Sequence, residues 1–209
     1  MKENNSLTIR GTRLVAVLLL LVVIMGIINF ALSKLLSSES QFKSIITVVG
    51  VLAVISVLIV LYGIYLIVKG RTEFSPSHEK NVIIAKKLIL SWIILFVLTG
   101  FFILPFSSAF PVIKTITDII LVIPFGLVFV YLIKELTEKN IKKLLWLTFF
   151  IYIITNSITS YANFIDAKNE AGLFYLYLIS TLIGFIPSLI LVFCYYKTYI
   201  KLKKASTLA

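Results

Sequence analysis

The run SIITVVGVLAVISVLIVLYGIYLIV, residues 44–68, contains no charged side chain and decides the fold of the whole chain. About 20 apolar residues are enough to cross the roughly 30 Å hydrocarbon core of a bilayer as a helix. Lipid offers backbone N–H and C=O groups no hydrogen-bonding partner, so such a run must be helical. Five further apolar runs predict an all-α integral membrane bundle of six transmembrane helices in a single domain, 1–209, with spans near residues 14–36, 44–68, 82–104, 111–133, 144–165 and 171–196.

The composition fits this interpretation and narrows the partners. The chain is 60% hydrophobic and 14% charged, whereas a soluble domain is about 45–50% apolar and about 25% charged. One cysteine, Cys194, excludes an intrachain disulfide and a thiolate metal cluster. The net charge is +11, but the basic residues flank the spans instead of gathering on one folded face. We therefore expect contacts with membrane lipids, above all with anionic headgroups on the cytoplasmic side, and no nucleic acid.

The positions of the basic residues predict the orientation. Sixteen of the 20 Lys and Arg residues lie at the two termini or in the second and fourth gaps between spans. Cytoplasmic loops carry an excess of Lys and Arg, so both termini are predicted in the cytoplasm and the protein in the cell (plasma) membrane as a multi-pass protein. The first apolar run is longer than the about 7–15 residues of a signal peptide, so we expect an uncleaved anchor.

The second gap carries the string GRTEFSPSHEKNV, residues 70–82. Ser75 and Pro76 predict a helix start, because a serine oxygen accepts from free N–H groups and proline suits the first helical position. The string also resembles the junction between the second and third spans of uncharacterised multi-spanning membrane proteins of archaea, with Ser75 in place of a glycine and Ser77 in place of an acid. The resemblance implies an archaeal plasma-membrane protein with a helical bundle, and it implies no activity.

Four polar side chains of this string form a candidate cytoplasmic junction: Arg71, Glu73, His78 and Glu79. One interpretation makes them a latch or docking site, in which His78 changes charge between about pH 5 and 8. The other makes them a capped helix start with solvated neighbours, and both interpretations stay open. One His and two Glu in a loop, without a helical i,i+4 pair of ligands, do not predict a metal site.

The fifth predicted span has a polar face that lipid does not suit. Asn156, Ser160 and Asn163 recur at helical spacing, and Thr159 lies on the adjoining stripe. Such a face either lines a water-filled passage or pocket for a small polar or amphipathic solute, or forms interhelical hydrogen bonds in a dry interface. Both interpretations stay open.

Three pairs of opposite charge are spaced i,i+4. Lys114 and Asp118 lie near the outer end of the fourth span, and the pairs Glu135–Lys139 and Glu138–Lys142 lie in the fourth gap. Asp118 is the only acidic residue inside a predicted span, where a carboxylate suits either a proton relay or an interfacial salt bridge with Lys114. The Glu135–Lys139 spacing predicts an ion pair on a helix that continues into the gap.

The fourth and sixth spans carry packing signals. Pro124 predicts a kink in the fourth span, because proline removes one backbone hydrogen bond from a helix. Ser180, Gly184 and Ser188 form a small-xxx-small row in the sixth span. Such a row predicts the close approach of another helix.

Two functions remain after the chemistry is considered. With one His, one Cys and two Met, the chain cannot assemble the nucleophile and base, the acidic metal cluster or the haem ligands of membrane enzymes, so we expect no enzyme, catalytic residue, cofactor or metal. We place first a non-catalytic accessory or scaffolding subunit of a membrane assembly, with a membrane protein partner or a second copy of the chain. The alternative is a small-solute permease or channel lined by the polar face of the fifth span.

Overall fold

A computed structural model describes residues 6–35, 40–102, 111–166 and 172–207. Each of these segments is dominated by long helices, and the described part of the chain contains no strand. All six described helices contain a segment long and apolar enough to cross a membrane, which confirms the predicted all-α class and is consistent with a multi-pass protein. The helices are α1 (Leu7–Leu35), α2 (Ser40–Lys69), α3 (Pro76–Phe102), α4 (Pro111–Ile133), α5 (Lys139–Asp166) and α6 (Gly172–Thr207).

Several helices extend beyond the predicted spans. Helix α3 begins at Pro76 as predicted, and the Ser75 hydroxyl oxygen accepts from the His78 backbone N–H at 3.1 Å. Helix α1 begins at Leu7, several residues before its apolar run, and α6 continues to Thr207 through the C-terminal lysines. The predicted spans end where the apolar residues end. The backbone hydrogen bonds of each helix continue into the polar residues on either side, so the helices are longer than the predicted spans.

One compact unit combines Met1–Glu73 with Ser188–Ala209. In it α1 and α2 pack against each other at two glycines. A Cβ atom on Gly11 would lie 2.6 Å from the Gly63 carbonyl oxygen, and one on Gly63 would lie 2.9 Å from a Val15 methyl group. Only glycine permits so close an approach of two helix backbones, which is the use that membrane helices make of small residues. The buried side chains of this unit include Val15, Ile67 and Tyr195.

The second compact unit covers Phe74–Pro187. Helix α4 packs against both α3 and α5. Gly126 is the close-packing position on α4, because a Cβ atom there would lie 3.0 Å from the Phe149 ring. Pro124 lies inside α4, and the kink predicted there stays a prediction. The single-domain interpretation of residues 1–209 stays a prediction, as do membrane insertion and the side of the termini.

Candidate functional site

A pocket of about 420 Å³ lies in the second unit, between α3, α4 and α5. Each of the three helices contributes a different set of side chains to the lining of the pocket. Helix α3 contributes aromatic rings, α4 contributes apolar side chains and a carboxylate, and α5 contributes hydroxyl and amide groups. The lining residues are Trp92, Phe96, Asp118, Leu121, Val122, Phe125, Tyr152, Asn156, Thr159 and Ser160.

The carboxylate of Asp118 and the hydroxyl of Ser160 connect α4 to α5. Ser160 Oγ donates to Asp118 Oδ2 at 3.4 Å, a long hydrogen bond, and both residues are partly exposed. Among the described side chains that line the pocket, Asp118 is the only one with a formal charge. The pocket therefore holds one negative charge at one end.

Two further polar groups of α5 donate hydrogen bonds to carbonyl oxygens of their own helix. Asn156 Nδ2 donates to the Tyr152 carbonyl oxygen at 2.8 Å, and Thr159 Oγ1 donates to the Thr155 carbonyl oxygen at 2.9 Å. A threonine hydroxyl that has given its proton to the backbone keeps two acceptor lone pairs. The pocket therefore offers acceptor lone pairs at Thr159 and at the Asp118 carboxylate of α4, while Asn156 Nδ2 carries a second N–H donor.

Three aromatic side chains form a continuous wall on α3 and α4. The Trp92 ring lies 5.5 Å from the Phe96 ring and 5.4 Å from the Phe125 ring, measured between centroids. Phe125 also meets Phe129 edge to face at 5.2 Å. These rings were not among the residues predicted for the candidate site. The i,i+4 spacing of Trp92 and Phe96 was a local signal for one aromatic face of α3, but nothing in it indicated that this face meets α5.

The structure brings together three of the four residues predicted on the polar face: Asn156, Thr159 and Ser160 all line the pocket. The side chains of Asn163 and Lys114 lie outside the described residues, so the fourth position of the face and the Lys114–Asp118 pair stay predictions.

The candidate junction divides between the two compact units. Glu73 belongs to the first unit, where its Oε1 accepts from the Leu7 N–H at 2.9 Å and its Oε2 accepts from the Thr8 N–H at 3.0 Å and the Ser6 hydroxyl at 2.7 Å. The first turn of α1 has no acidic residue of its own. Glu73 therefore supplies, from 65 positions away in the chain, the negative charge and the acceptors that a helix N-terminus requires.

The neighbouring junction residues have different surroundings. Gly70 accepts a hydrogen bond from Thr8 Oγ1 at 2.9 Å, which adds a second tie between the end of α2 and the start of α1. Arg71, in the same unit, is exposed. In the second unit His78 is fully buried and meets the Phe74 ring edge to face at 6.3 Å between centroids, while Glu79 is half-buried.

A second polar cluster lies at the turn between α4 and α5. Glu135 Oε1 accepts from Lys142 Nζ at 2.8 Å, so Glu135 pairs with Lys142 rather than with the predicted Lys139. The reason is that residues 134–137 form a turn, not the continuing helix that an i,i+4 pair needs. The Lys142 hydrogen bond lowers the pKa of Glu135, and a hydrogen bond from Asn81 of α3 adds to this effect. Burial lowers the pKa of Lys134, whose Nζ lies 3.7 Å from the Tyr131 ring centroid.

No family model, no curated protein and no solved structure matches this chain. The archaeal resemblance of residues 70–82 therefore stays a prediction. Within the described residues, no group of three or more His, Cys, Asp or Glu is close enough together to hold a metal ion.

Proposed function

We propose that this protein is a small-solute permease whose solute site is the pocket between α3, α4 and α5. The observation that carries the proposal is the position of that pocket: a space of about 420 Å³ reaches Asp118, Asn156 and Ser160 inside helices long and apolar enough to span a membrane. The volume lies within the roughly 300–1,000 Å³ typical of small-molecule sites.

The polar side chains that line the pocket favour a water-filled pocket over a dry contact between helices. Cavities lined by apolar groups alone stay empty, whereas polar cavities of this size hold water or a polar solute. An aspartate and two amide or hydroxyl side chains are costly in hydrocarbon unless they face a cavity or a partner. Asp118 and Ser160 are both partly exposed, and the hydrogen bond between them is long at 3.4 Å, as expected beside a cavity.

Cysteine accessibility in membranes tests this proposal. Cys194→Ala removes the native thiol, and Asn156→Cys then places a thiol in the pocket. Ile154→Cys is the matched control, because Ile154 is 57% exposed on the same helix but does not line the pocket. We expect charged, water-soluble methanethiosulfonate reagents to label the thiol at position 156 and not the thiol at position 154. Lack of labelling at 156 would refute a water-filled site, and equal labelling at both would refute membrane insertion of α5.

The accessory-subunit role is the second candidate. Helix α2 exposes an apolar surface that includes the stacked pair Tyr62 and Tyr65, with ring centroids 6.2 Å apart and each residue about half exposed. Lipid or a partner helix covers such a surface. Purification in mild detergent followed by mass spectrometry distinguishes the two, because a stoichiometric protein companion supports the subunit role and a chain that purifies alone counts against it.

The charge distribution supports our proposals on location. We infer that both termini are cytoplasmic, that the protein lies in the plasma membrane, and that its terminal and loop lysines contact anionic headgroups. Lys134 supports the last point, since its ammonium group stands over an aromatic ring at the end of a predicted span, where headgroups begin.

A further inference from the structure

We propose that the pocket between α3, α4 and α5 selects a small organic cation, such as a substituted ammonium ion. This inference rests on the proposed function and names the class of its solute. It is carried by three features that the structure places around one space: a single carboxylate, a wall of aromatic rings and a wall of hydrogen-bonding side chains.

The Asp118 carboxylate determines the sign of the charge that the solute carries. Asp118 is the only charged side chain among the described lining residues, and its one hydrogen bond from a lining residue is the long bond from Ser160. In a site of low dielectric, a carboxylate attracts a cation and repels an anion. A neutral solute would leave the negative charge uncompensated.

The aromatic wall distinguishes an organic cation from a metal ion. The rings of Trp92, Phe96 and Phe125 line the pocket, and aromatic rings attract ammonium groups through their quadrupoles. Hard metal ions prefer several oxygen ligands that include more than one carboxylate, and the described lining residues supply one carboxylate beside aromatic rings that cannot ligate a metal. An ammonium ion with alkyl groups, in contrast, is satisfied by one carboxylate and by aromatic rings.

The dimensions fit a molecule with a charged head and a short body. Asp118 and Phe125 are seven residues apart on α4, so they lie about 10 Å apart along the helix axis. Asn156 and Thr159 line the intervening wall on α5 and offer acceptors to N–H or O–H groups of the solute. The head of the solute is then close to Asp118 and its body lies along the aromatic rings.

A matched pair of probes tests the inference. Choline and 3,3-dimethyl-1-butanol have the same shape and differ in that choline has a positively charged nitrogen where the alcohol has a carbon. The chain has two tryptophans, so Trp146→Phe leaves Trp92 of the pocket as the only tryptophan reporter. We expect choline to change the fluorescence of this protein in detergent with an affinity at least about tenfold higher than that of the alcohol, a ratio that corresponds to one modest charge interaction. Equal affinities would overturn the inference.

Substitutions then test which side chain supplies the negative charge that binds choline. Asp118→Asn should lower the choline affinity at least about tenfold and leave the weak binding of the alcohol unchanged. Glu138→Gln is the matched control, because Glu138 is exposed, lies outside the pocket and loses the same charge. Its choline affinity should equal that of the parent protein. Choline affinity that survives Asp118→Asn would overturn the inference.

A second measurement leaves Asp118 intact, so it does not depend on the folding of that variant. The thiol of Asn156→Cys should react with a trimethylammonium methanethiosulfonate at least about tenfold faster than with a sulfonate one, after each rate is divided by its rate with a free thiol. Equal corrected rates would refute selection of cations and would still support a wet pocket. Failure of both reagents would refute the proposed function itself.

Discussion

Replacement of Glu73 tests whether the contact between the second gap and the start of α1 holds the first compact unit together. The Glu73 carboxylate accepts from two backbone N–H groups and one hydroxyl at 2.7–3.0 Å. Ser6 and Thr8 are almost completely buried. Glu73→Ala therefore removes the carboxylate that accepts from the start of α1, at a place that water reaches poorly.

The magnitude follows from two contributions. Loss of an N-terminal cap costs about 0.5–2 kcal/mol, and loss of a negative charge at the positive end of the helix dipole costs about 0.3–1 kcal/mol. Ser6 still caps the N–H of Ile9 at 3.3 Å, so the loss is partial. We expect Glu73→Ala to lower the free energy of unfolding by about 2 kcal/mol. For a chain of this size that lowers the unfolding midpoint by about 4–8 °C.

Glu73→Gln should cost about half as much, because its amide oxygen still accepts one hydrogen bond but carries no charge. The native Cys194 supplies the assay, since it lies in the same compact unit, is completely buried and is the only cysteine in the chain. A fluorogenic thiol reagent reports its exposure as the detergent-solubilised protein is heated. Glu138→Gln controls for the change in net charge. A midpoint for Glu73→Ala within about 1 °C of the control would refute the capping role.

Three further outcomes are expected. Gly11→Ala should destabilise the protein by about 1–3 kcal/mol, because its new Cβ would meet the Gly63 carbonyl oxygen. Gly184→Ala should leave the thermal midpoint equal or higher, because no described atom lies within 4 Å of a Cβ there. The same thiol assay compares the two variants, and an equal loss in both would contradict the close approach of α1 and α2. The Lys142 hydrogen bond lowers the pKa of Glu135, so the stabilisation from this pair is present at neutral pH and is lost as the pH falls through that lowered pKa. Glu135→Gln should remove this pH dependence and cost no more than about 1 kcal/mol at pH 7, since the pair is partly exposed to solvent. Tryptophan fluorescence during unfolding at pH 7 and pH 4 measures it, and an unchanged pH dependence would show that the pair contributes nothing. Tags at the two chain ends should both react from the cytoplasmic face, and tags on opposite faces would contradict the orientation inferred from the charges.

The small-xxx-small row of α6 shows that a sequence pattern typical of close helix packing does not by itself place a close contact there. Ser180, Gly184 and Ser188 predicted a close helix approach, yet a Cβ on Gly184 would meet no described atom within 4 Å. The close approach occurs instead at Gly11 and Gly63, which the sequence did not mark as a pair because they lie on different helices. Spacing within one helix indicates where a contact is permitted, and it does not identify the partner.

The polar face of α5 was the part of the candidate site open to prediction. Asn156, Thr159 and Ser160 recur at helical spacing on a span, so their common face followed from helix geometry alone. The opposite wall was not predictable in this way. Trp92, Phe96 and Phe125 lie on helices that are apolar on almost every side, where no polar stripe indicates which face turns inward.

The sequence by itself determined the helical class, the number of long apolar helices and the start of α3 at Pro76, because these depend on local hydrogen bonding and on apolar length. Only the tertiary structure decided the rotation of each helix about its axis, and with it the glycine contact of α1 with α2, the Glu73 cap and the pocket. The physical reason is that lipid is as apolar as a protein interior. A membrane helix therefore lacks the hydrophobic stripe that marks the inward face of a helix in water.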